Sequence, residues 1–323
     1  MAKKIGLVGI YFPGAYDTLH ENVPEGFELV DALSPEAYGN LADCEYLISR
    51  LDIDPDIINH TPNVKFWQRW GAGFDHVDLK AWGERGIPIA TCPGVNSGIV
   101  AELAIMLMLA GYRNLLQINR QLLEGHFPRT EYFGRSFMIK GKTVGVLGLG
   151  HIGKKVAALV TAFGSNVIYY DILRQPDQEE KYGYRFVDFD TLLEQSDIFT
   201  VHCPLNEETQ GMIGLEQFKK MKPSAMLINT ARGPIVDEAA MIDALTTGKI
   251  ATAGLDTYEH EPLPKDHPLL KLDNVVASAH AGGNTKDNDI NMVNYVYHNI
   301  VAFDRGEPLN TPGDIVNGEF LKK

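Results

Sequence analysis

The chain has 323 residues, 45% hydrophobic and 22% charged, a balance that suits a globular protein long enough for two domains. A formal net charge of -13 and a pI near 5.2 argue against nucleic-acid binding, which favours a basic excess, but leave room for a local basic pocket that holds a small anion. The three cysteines, Cys44, Cys92 and Cys203, form no CxxC pair, and their odd number argues against a disulfide framework, so a reducing cytoplasm is expected.

The N-terminal "MAKKIGLVGIYFPG" carries two lysines but no long apolar core, and reads as a first strand rather than a signal peptide. Short apolar runs at 4–9, 27–31, 46–49, 64–67 and 87–90 follow one another between Gly- and Pro-rich loops, the signature of βα units and a parallel sheet. Phe66, Trp67 and Trp70 are bulky for this stretch and either pack a core or line a pocket. From about residue 99, "SGIVAELAIMLMLAGYRNLLQINRQLLEG" reads as a helix, apolar on nearly all faces to Gly111 and amphipathic beyond it. Such a helix is buried, within the chain or against a second subunit, and residue 99 or so is the first domain boundary. A homodimer is expected from it. Its most apolar part, 103–111, is far shorter than the roughly 20 residues of a membrane span, so no membrane role is expected.

A second βα series begins at 141–150 and continues with strands at 166–171, 198–204, 225–230, 251–256 and 274–280. The helix at 237–248 starts on an N-cap candidate, Asp237, and a last helix follows residue 284. Within the first of these units, Gly148, Gly150 and Gly153 form G-x-G-x-x-G between an apolar strand and an amphipathic helix. Asp171 ends the next strand, 18 positions after Gly153. Gly148 allows the tight turn, Gly150 lets the backbone approach a pyrophosphate, and Gly153 lets the helix pack closely on the sheet. The helix N-terminus offers its N–H groups to phosphate, and Asp171 accepts from ribose hydroxyls while repelling a 2′-phosphate. NAD is therefore favoured over NADP, although Arg174, three residues on, can soften that preference.

A nicotinamide enzyme also needs an anchor for its substrate and a group that handles a proton, and these belong at strand carboxyl ends. Three such ends qualify: "NTARG" with Arg232, "GLDTYEHEP" with Asp256, Glu259 and Glu261, and "ASAHAGG" with His280. Taken singly, such an arginine is more often a salt-bridge or surface residue, and such a histidine more often structural than catalytic.

In order along the chain, "WGAGFDHVDL" (70–79), "VAELAIMLML" (100–109), "GKTVGVLGLGHIGKKVA" (141–157), "VHCPLNEETQGMIG" (201–214), "INTARGPIVDEAAMIDAL" (228–245), "AGLDTYEHEP" (253–262) and "LDNVVASAHAGGNT" (272–285) resemble the D-isomer-specific 2-hydroxyacid dehydrogenase family over most of the chain. The resemblance implies an α/β protein of two doubly wound parallel-sheet domains. A Rossmann NAD-binding domain would span 100–285, and a flavodoxin-like substrate domain would join 1–99 to 286–323. It implies hydride transfer between NAD(H) and a D-2-hydroxy or 2-oxo acid. Arg232 would grip the substrate carboxylate and carbonyl in the bidentate manner a guanidinium allows. His280 would exchange the proton with the carbonyl oxygen. Glu261 would pair with the imidazole, favouring its charged form and fixing its orientation. Backbone N–H groups of Gly71, Ala72 and Gly73 would bind the carboxylate, and His151 and Ile152 would touch the pyrophosphate. Cys203, Pro204, Thr209, Thr230, Ala231 and Asp256, together with His280, fall at positions that the family uses around the adenosine and nicotinamide. No metal is implied.

The chain departs from the family at Leu103 and Ala279, where histidine and proline are common, and in "GHFPRTEYFG", where a tryptophan is usual. Glu261 stands where formate dehydrogenases have glutamine, and Ala72 where phosphite dehydrogenases have lysine, which disfavours both activities. Arg69 matches an arginine of relatives that oxidise 3-phosphoglycerate, whereas hydroxypyruvate or glyoxylate needs none. A non-catalytic relative, an NAD(H)-sensing corepressor-like protein on the same fold, is the alternative. The intact arginine, glutamate and histidine and the absence of basic arms favour the enzyme.

Overall fold

The computed structural model describes all residues except Met1, Leu51, Asp52, His76, Lys322 and Lys323, so His76, inside the family-like segment 70–79, lies outside the described residues. The chain forms two compact units, Met1–Asn96 with Asn284–Lys323, and Ser97–Gly283.

The first unit holds five parallel strands, β1 (Lys3–Gly9), β2 (Phe27–Ala32), β3 (Tyr46–Arg50), β4 (Phe66–Arg69) and β5 (Ile89–Ala90), in the order β2-β1-β3-β4-β5. This is the doubly wound, flavodoxin-like order. Alternation along a strand sends neighbouring side chains into different cores. Phe66 stacks on Phe303 of the last helix, α10 (Lys286–Arg305), with ring centroids 4.5 Å apart. Trp67 meets Trp82 on the opposite face, at 4.6 Å, where α2 (Leu79–Glu84) lies. Leu19 of α1 (Pro13–Glu21) shares the α10 core with Ile5, Leu7 and Val293. Strand β4 begins two residues later than the apolar run suggests, which makes Arg69 its last residue.

The second unit holds seven parallel strands: β6 (Thr143–Leu147), β7 (Asn166–Tyr170), β8 (Arg185–Phe186), β9 (Ile198–Val201), β10 (Met226–Asn229), β11 (Thr252–Leu255) and β12 (Val275–Ala277). Their order is β12-β11-β10-β9-β6-β7-β8. The winding reverses between β6 and β9, and ligands in open α/β sheets bind at such a switch point. Strand β8, two residues long, is too short to show a period and is not legible in the sequence.

The helix expected as one piece from about residue 99 is two, α3 (Ser97–Tyr112) and α4 (Leu115–Leu123), bent by 63°. Asn114 between them adopts the left-handed conformation, φ 50° and ψ 39°, which Asn tolerates better than most residues and which breaks the helical ladder. Helix α3 is buried mainly within its own unit, through Ala101, Ala104, Leu107 and Met108. Its close approach to β11 requires Gly254, where an added Cβ would fall 2.8 Å from the Cβ of Leu107. The remaining helices are α5 (His151–Ala162), α6 (Pro176–Tyr182), α7 (Phe189–Gln195), α8 (Leu215–Lys220) and α9 (Glu238–Thr246). Asp237 caps α9 by accepting from the Ala240 N–H at 2.9 Å, as its position predicts. No single helix among the described residues is long and apolar enough to cross a membrane.

Candidate active site

The loop between β6 and α5 distinguishes its three glycines. Gly148 has φ +90°, and a Cβ there would lie 2.7 Å from the Cys203 nitrogen, so the turn tolerates only glycine. At Gly153 a Cβ would meet the Gly148 carbonyl oxygen at 2.1 Å, which fixes how closely α5 packs on its own turn. Around Gly150 a Cβ would meet nothing within 4 Å, and Gly150 caps the twelve-residue α5 without any side-chain acceptor. The first amides of that helix, beside the switch point, thus receive no side-chain cap from its N-terminal residue. Asp171, immediately after β7, closes the far side. Its carboxylate accepts from the Leu149 N–H at 2.7 Å and from the Leu173 N–H at 3.0 Å.

Cys203 and Pro204 follow β9, and Thr209 ties their turn together. Its Oγ1 donates to the Pro204 carbonyl at 2.7 Å and accepts from the Asn206 N–H at 2.8 Å. Burial pushes the Cys203 thiol up to about 11, so it stays neutral. Its neighbour His202 contacts the Thr200 hydroxyl at 2.8 Å, and desolvation pushes its pKa down to about 3. A histidine held neutral in this way does not store a proton for catalysis.

The carboxyl ends of β10, β11 and β12 bring the other candidates together. Arg232 stands three residues past β10, half-buried. Asn229 shapes its turn: the side-chain amide donates to the Arg232 carbonyl at 2.9 Å, and its oxygen accepts from the Ala231 N–H at 3.1 Å. The Arg232 guanidinium donates to the Ala231 carbonyl at 2.7 Å. The Thr230 hydroxyl, on the residue after Asn229, is buried with no hydrogen-bond partner among the described residues. Asp256, directly after β11 and 2% exposed, holds the loop after β12. Its carbonyl accepts from the His280 N–H at 2.8 Å, and its carboxylate accepts from the Ala281 and Gly282 N–H groups, both at 2.9 Å. The loop so held keeps His280 at φ +50°, a conformation uncommon for non-glycine residues and frequent at functional sites.

His280 Nδ1 lies 2.7 Å from Glu261 Oε2, and Glu261 Oε1 accepts from the Tyr258 N–H at 3.0 Å. Burial raises the Glu261 pKa. The hydrogen bonds from His280 and Tyr258, with the charges of His280 and Arg232, outweigh it and leave the carboxyl below its usual value. The pair is thus a carboxylate-held imidazole within reach of the field of a guanidinium.

The contact that joins the Arg232 and Glu261 loops is tight. A Cβ on Gly233 would lie 1.9 Å from the Tyr258 carbonyl carbon. Gly233→Ala is expected to destabilise the protein by about 1–3 kcal/mol and to reduce turnover, as measured by denaturant unfolding and steady-state kinetics. An unchanged midpoint would mean that the two loops do not pack.

In the first unit, Arg69 is 9% exposed, and its guanidinium contacts the Gly73 carbonyl and the Ser49 hydroxyl, each at 3.4 Å. It borders a cavity of about 340 Å³ that Trp67, Trp82, Ile57, Ile58 and Val77 also line. Trp67 therefore serves the core and walls the cavity, while Phe66 is core alone. Gly71, at φ +122° with open space around it, turns the chain into the loop that contains Ala72 and Gly73.

Signals for the supporting residues were partly present in the sequence. Asn229, two residues before Ala231, has the spacing of an Asx turn. Nothing local marked Tyr258 or Asp256 as the holders of Glu261 and His280.

Residues 105–282 match the family model described as D-isomer specific 2-hydroxyacid dehydrogenase, NAD binding domain. A D-3-phosphoglycerate dehydrogenase of Archaeoglobus fulgidus is 42% identical over 261 residues, which cover 81% of this chain and 49% of that protein. The chain thus spans about half the length of that relative. A glyoxylate reductase of Korarchaeum cryptofilum is 38% identical over 284 residues, covering 87% of this chain and 85% of the relative. The crystal structure of a glyoxylate reductase from Paecilomyes thermophila superposes with a TM-score of 0.83 at 30% identity, covering 97% and 98% of the two chains. The family match extends over more than half of the chain, which belongs to the D-isomer specific 2-hydroxyacid dehydrogenases, a family of NAD-dependent oxidoreductases.

Proposed function

We propose that this chain interconverts a D-2-hydroxy acid and its 2-oxo acid, with Arg232, Glu261 and His280 as the reacting-group machinery. The observation that carries this reading is the 2.7 Å contact between His280 and Glu261, beside Arg232 at the carboxyl ends of neighbouring strands.

NAD suits the residues present: α5 starts on Gly150 without a side-chain cap, a Cβ there would meet nothing within 4 Å, and the buried Thr230 hydroxyl has no hydrogen-bond partner among the described residues. Gly148, Gly150, His151, Ile152 and Gly153 would hold its pyrophosphate and Asp171 its ribose. Cys203, Pro204, Thr209, Thr230, Ala231, Asp256 and His280 would surround its adenosine and nicotinamide. The cofactor supplies or accepts the hydride at the substrate's C2. Arg232 orients the carboxylate and carbonyl. Because Nδ1 is engaged by Glu261, Nε2 of His280 gives the oxygen its proton in reduction and recovers it in oxidation. Glu261 stabilises the imidazolium between those events. Within the first unit, the N–H groups of Gly71, Ala72 and Gly73 and the Arg69 cation are the substrate-binding groups that the family resemblance implies.

3-Phosphoglycerate, hydroxypyruvate and glyoxylate are the proposed substrates, and they differ in their need for Arg69. The test is a steady-state panel of these three with NAD(H), on wild type and Arg69→Ala. A loss confined to 3-phosphoglycerate assigns Arg69 to its phosphate; no turnover of any 2-oxo acid refutes the enzyme.

We also propose a cytoplasmic homodimer. Met106, Leu109, Leu115, Leu116, Leu122 and Leu123, on α3 and α4, are exposed, as are Phe127 and Phe133 in the segment that follows, and large apolar side chains of this kind suit a subunit contact. Sedimentation at micromolar concentration is expected to give a dimer, and a monomer would refute it.

A further inference from the structure

Asp171 directly follows β7, and Arg174 comes three residues later on a turn that the Asp171 side chain itself closes by accepting from the Leu173 N–H. An arginine so placed is what a dinucleotide site uses to take the 2′-phosphate of NADP. Here its fork is occupied. Arg174 Nε donates to Glu179 Oε1 at 2.9 Å and Nη2 to Oε2 at 2.8 Å, the bidentate geometry that a phosphate would otherwise receive. The guanidinium also lies 5.7 Å from the Phe186 ring centroid.

An ordinary exposed ion pair is too weak to restrain a long side chain. This one has a fixed half. Tyr169, wholly buried, donates its hydroxyl to Glu179 Oε1 at 2.7 Å and accepts from the Gln175 N–H at 2.8 Å. The Glu179 carboxylate is therefore tethered to the core and to the first turn of α6 before Arg174 arrives. The Arg174 and Tyr169 hydrogen bonds push its pKa down to about 2, so it stays charged at every working pH.

We propose that Glu179 is a specificity-determining residue: by holding the Arg174 fork, it withholds the cation that would bind a 2′-phosphate and so reinforces the selection of NAD by Asp171. The proposal rests on the reading of the Gly148–Asp171 region as the cofactor site. It makes coenzyme choice a property of two carboxylates, one that repels the phosphate and one that sequesters its receptor.

The test is a double-mutant cycle read by direct binding. Dissociation constants for NADH and NADPH are measured by fluorescence titration on wild type, Glu179→Gln, Arg174→Ala and the double variant. Glu179→Gln is expected to tighten NADPH binding about tenfold, the scale of one charge-assisted contact, with NADH affinity within about twofold of wild type. Adding Arg174→Ala should abolish the gain, which separates release of the arginine from simple loss of a negative charge. A ratio of NADPH to NADH affinity unmoved by Glu179→Gln, or a gain that survives Arg174→Ala, overturns the proposal. NADH binding in each variant reports that the unit is folded. Failure of wild type to bind NADH at all would instead overturn the cofactor-site reading.

Discussion

His280→Ala is expected to lower kcat by about 10²–10⁴-fold, the range that a positioned acid–base group contributes, while the dissociation constant for NADH changes by no more than about twofold. The asymmetry follows from where the imidazole is held. Asp256 fixes the backbone of residues 280–282 through three hydrogen bonds, none of which involves the ring. The ring contacts Glu261 through Nδ1, so truncation spares those backbone bonds and takes away the group proposed to carry the proton. Stopped-flow and equilibrium titration on the same preparation check this. A parallel loss of binding and turnover would assign His280 a structural role instead.

Arg232→Ala is expected to lower kcat/KM by about 10²–10³-fold, mostly through KM, if Arg232 makes the two charge-assisted hydrogen bonds to the substrate carboxylate and carbonyl that the proposed function assigns to it. Arg232→Lys should recover little, since an ammonium cannot reproduce the planar fork. The Asn229 amide and the close packing at Gly233 hold the turn alongside the guanidinium's bond to the Ala231 carbonyl, so thermal stability should change less than kinetics. Unaltered kinetics would place the carboxylate anchor elsewhere.

How much of this was legible in the sequence depended on range. The βα alternation, the two sheets and the glycine loop were readable because each rests on local pattern: strand, tight turn, helix, and an acid at a fixed spacing. Asp237 as a cap needed only its own neighbours. The bend at Asn114 was hidden because the apolar pattern continues through it, and a single left-handed residue leaves no periodic trace. Strand β8 was hidden by its length. The Arg232, Glu261 and His280 set is spread over 49 positions and has meaning only when parallel strands β10, β11 and β12 align their carboxyl ends. Residue chemistry alone favoured a salt bridge for Arg232, and resemblance to a family supplied the roles. The tether on Arg174 was invisible for another reason. Arg174 and Glu179 are five residues apart, but the anchor that makes their pair matter is Tyr169, which the sequence presents as one more aromatic on a strand.

If bound NADH reduces the carbonyl of a 2-oxo acid under the control of Arg232, Glu261 and His280, NADH consumption and 2-hydroxy acid formation keep pace. Both are measured together, with chiral analysis of the acid formed from hydroxypyruvate. One D-hydroxy acid is expected per NADH oxidised. Tight NADH binding with no acid formed from any 2-oxo acid, or a product of L configuration, would contradict it.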